Sequence, residues 1–144
     1  MTPQERAEKS AQVMYDNDPA SRGLGMRLDH VEPGRATMSM VVRPDMVNGH
    51  RIAHGGFIFT LADSAFAFAC NTYNKVTVAQ QNQITYASPG REGERLTAEA
   101  VETHRAGRSG TYDVTVRGED GRVVALMRGL SRTINGQTFE EEDT

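Results

Sequence analysis

The chain has 144 residues, 38% hydrophobic and 24% charged, the profile of one globular domain with a real core and too little length for two ordinary ones. Its formal net charge is −3, and four of its acids, Glu140, Glu141, Glu142 and Asp143, sit in the last five residues, so the body without them carries +1. The absence of a basic stripe, of Cys/His finger spacing and of tryptophan excludes nucleic acid as a partner, and a single cysteine, Cys70, excludes a disulfide framework and points to a reducing cytoplasm.

The N-terminal stretch MTPQERAEKSAQ has no apolar run and does not read as a signal peptide. Thr2, Pro3 and Glu5 instead lay out a helix start: a capping hydroxyl, a proline at the first helical position and a glutamate able to reach back. This predicts a helix over 3–17, stopped by Asp18-Pro19. GMRLDHV and RATMSMVVR follow, separated by Glu32-Pro33-Gly34, with Ala36, Met38, Met40 and Val42 alternating as in a half-buried strand.

After the loop PDMVNGHRIA comes a long apolar segment rich in Ala, Phe and Leu, which opens on Gly55-Gly56 and predicts a helix over about 55–71. Its apolar residues wrap nearly the whole wheel, so other structure is expected to enclose it. It is shorter than a bilayer span and carries Asp63 near its middle, which argues against membrane insertion. Four strand candidates complete the chain: VTVAQQNQITYAS, RLTAEAVETHR, GTYDVTVRGE and RVVALMRGLSRTI, separated by Gly-rich and Pro-Gly turns. Leu96, Ala98 and Ala100 alternate, as do Tyr112, Val114 and Val116, so an antiparallel sheet presents one buried face, and the central helix is the element able to cover it. The pattern is α+β in one domain over 1–136, with an acidic tail over 137–144 read as mobile.

The central segment also carries the chemistry. A helix N-terminus offers free backbone N–H groups and a partial positive charge, and Gly55-Gly56 lets a ligand oxygen come close. Asp63 is a carboxylate in apolar surroundings with no basic residue near it in sequence. A desolvated charge is costly, so such a group is kept for chemistry more often than for structure. Together they supply an oxyanion donor and a base or nucleophile for an acyl transfer. Asp63 lies eight residues beyond Gly55, about 12 Å along a helix. One carbonyl cannot reach both, unless two copies pack about a two-fold axis with their helices antiparallel.

The run from Asn48 to Asn71, N-G-H-x-x-x-H-G-G-x-x-F-x-L-A-D-x-A-F-A-x-A-C-N, resembles the PaaI-type phenylacetyl-CoA thioesterases of the hotdog fold, and RLTAEA, TYDVTV and VALMRG are similar in kind. The resemblance covers nearly the whole chain. It implies an antiparallel sheet wrapped around the central helix, a homodimer with shared sites that pairs further into a homotetramer, and hydrolysis of phenylacetyl-CoA or a hydroxylated relative. No cofactor is implied, and coenzyme A enters only as part of the substrate. Asp63 is then base or nucleophile, the Gly55 N–H the oxyanion donor, Asn48 a holder of water or of the substrate carbonyl, and His54 a positioning residue. Gly56 and Ser64 lie beside these groups, Ser64 either within the site or bonded to its own helix. Where some relatives use a hydroxyl on the next strand, this chain has Ala79, Gln80, Gln81 and Asn82, so an amide, with Gln81 the candidate, is expected to line the pocket.

His50 and His54 have metal-ligand spacing but precede the helix in a loop with no third ligand close, so no metal site is expected. Cys70 reads as a core thiol. Arg91, Arg105 and Arg108 lie in or near turns, with Arg91 and Arg108 the candidates for the phosphates of coenzyme A. Two competing functions share these residues: an acyl-thioester hydratase or dehydratase using His54 with Asp63, and a non-catalytic acyl-CoA binding protein.

Overall fold

The computed structural model describes residues 1–142. Asp143 and Thr144, the end of the acidic tail, lie outside the described residues. Helix α1 (Pro3–Asp16) begins with the expected reciprocal cap: the Thr2 hydroxyl accepts from the Glu5 N–H at 3.1 Å, and the Glu5 carboxylate accepts from the Thr2 N–H at 3.3 Å. Asp18-Pro19 ends α1 but also starts a short helix the sequence did not announce, α2 (Pro19–Gly23), with Asp18 as its cap and Pro19 at its first position.

Strands β1 (Arg27–Glu32) and β2 (Arg35–Val41) form the first hairpin, turning at Gly34 with φ +74°. Helix α3 (Gly55–Cys70) follows, then β3 (Thr77–Tyr86), β4 (Arg95–Ala106), β5 (Ser109–Arg117) and β6 (Val123–Thr133). The six strands form one antiparallel sheet in the order β1-β2-β4-β5-β6-β3. The sheet wraps around α3, which packs against every strand.

Small and large side chains divide the space between sheet and helix. Ala36, Ala98, Ala100 and Ala125 leave room for the helix, while Met38, Met40, Leu96, Val114 and Val116 fill the gaps, all buried. Phe66 of α3 lies against Tyr112 with ring centroids 5.4 Å apart, edge to face. It also presses on β6 at Gly129, where an added Cβ would stand 2.9 Å from the ring.

One expectation changes. The helix is not enclosed on all sides: Gly56, Thr60, Asp63 and Ala67, which fall on one face, are partly or fully open. The sheet curls around the rest of the helix and stops at β3, whose outer edge pairs with no strand among the described residues. The described part of the tail makes specific contacts with the body. Arg6 grips Glu141 with its shortest contact at 2.7 Å, and Asn74, at φ +57°, donates to Phe139 O and Glu141 Oε2 while accepting from the Thr138 and Phe139 N–H groups.

Gly129→Ala is expected to destabilise the fold by about 1–3 kcal/mol, because Phe66 has no free space to move into. Urea unfolding, with a lower midpoint and an unchanged slope, is the check.

Candidate active site

The loop before α3 is a closed unit. His54 N–H donates to Met46 O at 2.8 Å, Asn48 N–H donates to Ile52 O at 2.9 Å, and Val47 bridges Ala53. Arg51 takes the turn at φ +63°. Asn48 Oδ1 accepts from the His50 N–H at 2.9 Å, so its carbonyl end is committed to the loop and the Nδ2 end remains to meet a ligand.

This loop delivers His54 as the cap of α3. His54 Nδ1 accepts from the Gly56 N–H at 2.9 Å, which places the proton of the neutral ring on Nε2, and His54 O accepts from the Phe57 N–H at 3.0 Å. The Gly55 N–H is left without a partner among the described residues. Of the two adjacent glycine donors, Gly55 is therefore the open one and Gly56 is spent on the cap. The Tyr86 ring lies over Gly55, where an added Cβ would meet it at 3.1 Å, and its hydroxyl donates to Gly55 O at 3.0 Å.

Two turns along, Asp63 is half-buried and forms no salt bridge among the described residues. Burial pushes its carboxyl above the usual range, and a hydrogen bond from Asn82 Nδ2 to Oδ1 at 2.8 Å works the other way. The carboxylate lines a groove of about 650 Å³ between α1, α2, α3 and β3, with Met14, Pro19, Ala20, Ala67 and Val78 supplying apolar walls.

Several expected site residues lie elsewhere. Ser21 donates to Asp18 Oδ2 at 2.7 Å, so in its 2.8 Å contact with Ser64 the proton comes from Ser64. Ser64 thus fastens α2 to α3, and that proton is not free for a ligand. Gln81 is exposed, next in the strand to the inward-facing Asn82, and so belongs to the outer face of the sheet. The amide on the carboxylate is Asn82. A bulge between Ala79 and Gln81 sets this parity: Thr77 faces inward before it and Asn82 after it.

Within one chain Arg91 and Arg108 do not converge. Arg91 bridges Ile52 near the start of α3, whereas Arg108 sits in the β4–β5 turn, where its carbonyl accepts from the Thr133 N–H at the opposite end of the sheet. The Cys70 thiol is buried, and burial pushes its pKa up to about 12, consistent with a core thiol and not a nucleophile.

The arrangement offers an open amide donor at a helix tip and a carboxylate without a cation in an apolar groove. Comparison with known proteins points the same way. The chain matches the model of the thioesterase superfamily over residues 50–125. It is 39% identical over 131 residues to the acyl-coenzyme A thioesterase PaaI of Escherichia coli K12, covering 91% of this chain and 94% of that one. The structure of the E. coli PaaI protein from the phenylacetic acid degradation operon superimposes with a TM-score of 0.93 at 38% identity, over 94% of this chain and 99% of that one. A point mutant of the phenylacetic acid degradation protein PaaI from Thermus thermophilus superimposes with a TM-score of 0.78 at 41% identity, over 81% of this chain and 100% of that one. The chain belongs to the thioesterase superfamily and has its hotdog fold.

Proposed function

We propose that this chain hydrolyses acyl-coenzyme A thioesters, with arylacetyl groups as the preferred acyl part, in a site completed by a second copy of itself. The observation that carries this reading is the half-buried Asp63, with a hydrogen-bonding amide and no cation, in an apolar groove. The aryl preference draws on the E. coli relative, whose operon degrades phenylacetic acid, and on apolar groove walls that suit a ring. A single cysteine, free and buried, supports a place in the cytoplasm, and no helix among the described residues is long and apolar enough to cross a membrane.

The second copy answers the length constraint. β3 is a ten-residue edge strand, TVAQQNQITY, with neither charge nor proline to discourage pairing, and Val78 and Tyr86 on it are exposed. Pairing β3 with itself about a two-fold axis sets the two α3 helices antiparallel, with Asp63 opposite Gly55 of the partner subunit. Two such dimers would then pair into a tetramer.

In the reaction, Asp63 takes a proton from water, the resulting hydroxide attacks the thioester carbonyl, and the charge on the carbonyl oxygen meets the Gly55 N–H of the partner subunit. Collapse breaks the C–S bond, and the coenzyme A thiolate recovers the proton from Asp63. Direct attack by the carboxylate would give a mixed anhydride that water then opens. Both routes use protein groups and water alone. The hydratase alternative needs His54 and Asp63 as an acid–base pair; with Nδ1 accepting from the Gly56 N–H, His54 keeps Nε2–H as a donor but has no free ring nitrogen to act as a base.

Asp63→Asn is expected to lower kcat by about 10³-fold or more, read as thiol release with a chromogenic disulfide; retained turnover would contradict the role of Asp63. The same variant should unfold at a higher temperature at neutral pH. Because burial raises the Asp63 pKa above its unfolded value, the protonated carboxyl favours the fold, and that contribution is lost as pH rises through the raised pKa. The gain should therefore shrink as pH falls through the carboxylate range. Across a panel of coenzyme A thioesters, arylacetyl substrates are expected to give the highest kcat/KM; equal or better values for long straight chains would remove the aryl assignment.

A further inference from the structure

We propose that β3 is the positioning strand of this site: Asn82 holds the Asp63 carboxylate, Tyr86 holds the first peptide of α3, and one strand thereby sets both ends of the reacting geometry. The inference rests on the thioesterase reading above. Its basis is a match of two rulers. Gly55 and Asp63 are separated by eight helical residues, about 12 Å. Asn82 and Tyr86 are separated by four strand residues, about 13 Å. β3 and α3 run in opposite directions, so Asn82 reaches Asp63 at 2.8 Å and Tyr86 reaches Gly55 O at 3.0 Å.

Asn82 and Tyr86 lie on the same face of β3, with Ile84 between them packed against the core. The opposite edge of β3 is the one left open for the partner, so the strand that aligns the site within each chain is also the strand on which two chains would meet.

Asn82 carries a further mark of function. Its Oδ1 is buried and unpartnered among the described residues, although its Nδ2 is well bonded. A purely structural amide is normally satisfied at both ends. Here one end is left unpaired to keep the other on the carboxylate, and the reverse orientation would set Oδ1 against the charge. Tyr86 acts on the opposite end. Its hydroxyl fixes the Gly55–Gly56 peptide from outside the helix, and its ring limits how far Gly55 can shift, so the adjacent Gly55 N–H keeps its direction.

The experiment compares wild type, Asp63→Asn, Asn82→Leu, Asn82→Ser and Tyr86→Phe by thiol release across pH, with thermal unfolding of each. The other titratable groups near Asp63 are Asp18, which lines the groove from α2, and Cys70 on its own helix; α1 and β3 present only neutral side chains to the groove. Asn82→Leu removes the donor that favours the ionised carboxylate, so the acidic limb of kcat/KM should move up by about one pH unit, and Asn82→Ser should move it in the same direction by less. Tyr86→Phe should lower kcat about tenfold, with KM within about twofold and the acidic limb unmoved. A limb that stays in place in both Asn82 variants, or a Tyr86→Phe enzyme with wild-type kcat, overturns this inference alone, provided Asp63→Asn is inactive. An active Asp63→Asn overturns it together with the thioesterase mechanism.

Discussion

Eight residues of helix keep the open amide of Gly55 and the carboxylate of Asp63 about 12 Å apart, and no rotation of side chains within one chain removes that distance. Most of the remaining structure becomes intelligible from this constraint. A single thioester carbonyl needs an electrophilic and a basic partner within hydrogen-bond reach at once, so on the proposed reading each chain would carry half of two different sites. The partly open stripe on α3 and the unpaired, uncharged edge of β3 lie on the side where a second copy would supply the missing halves.

Within each chain the two halves are built by different means. At the helix tip, His54 spends Nδ1 on the Gly56 N–H and its carbonyl on Phe57, which leaves Gly55 as the free donor. In the middle of the helix, the fold tolerates a carboxylate that burial makes harder to ionise and that Asn82, alone among the described residues, favours in its charged form. Ser64, one residue on, fastens the N-terminal helices through Ser21 and Asp18 and so maintains the wall of the groove.

What the sequence makes visible follows from how local each signal is. The capping box at Thr2 and Glu5, the start of α3 at Gly55-Gly56, and the alternation in β2, β4 and β5 are short-range patterns, and the structure reproduces them. Asp63 stands out because its exception is also local, one acid in an apolar run. Asn82 escapes because the sequence offers several polar candidates side by side, and which amide faces the helix is decided by the bulge between Ala79 and Gln81. Tyr86 escapes because only the register between β3 and α3 brings it to Gly55. The docking of Glu141 on Arg6 spans 135 residues, and no local pattern announces it. Arg91 and Arg108 both look suited to phosphate in sequence, and the topology sends them to opposite ends of the sheet.

The shared site is tested most directly by mixing two inactive chains. Gly55→Pro removes the proposed donor at the first helical position, after a residue already at ψ 132°, at the cost of a shift of a few tenths of an ångström in the Tyr86 ring, and Asp63→Asn removes the carboxylate. In a mixed dimer one site carries both defects and the other carries neither. Unfolding the two variants together in equal amounts and refolding them should restore about a quarter of wild-type activity, since half of randomly paired dimers are mixed and each has one intact site. Mixtures that refold to dimers and stay as inactive as the separate variants would place the two groups in one chain's site and contradict the account.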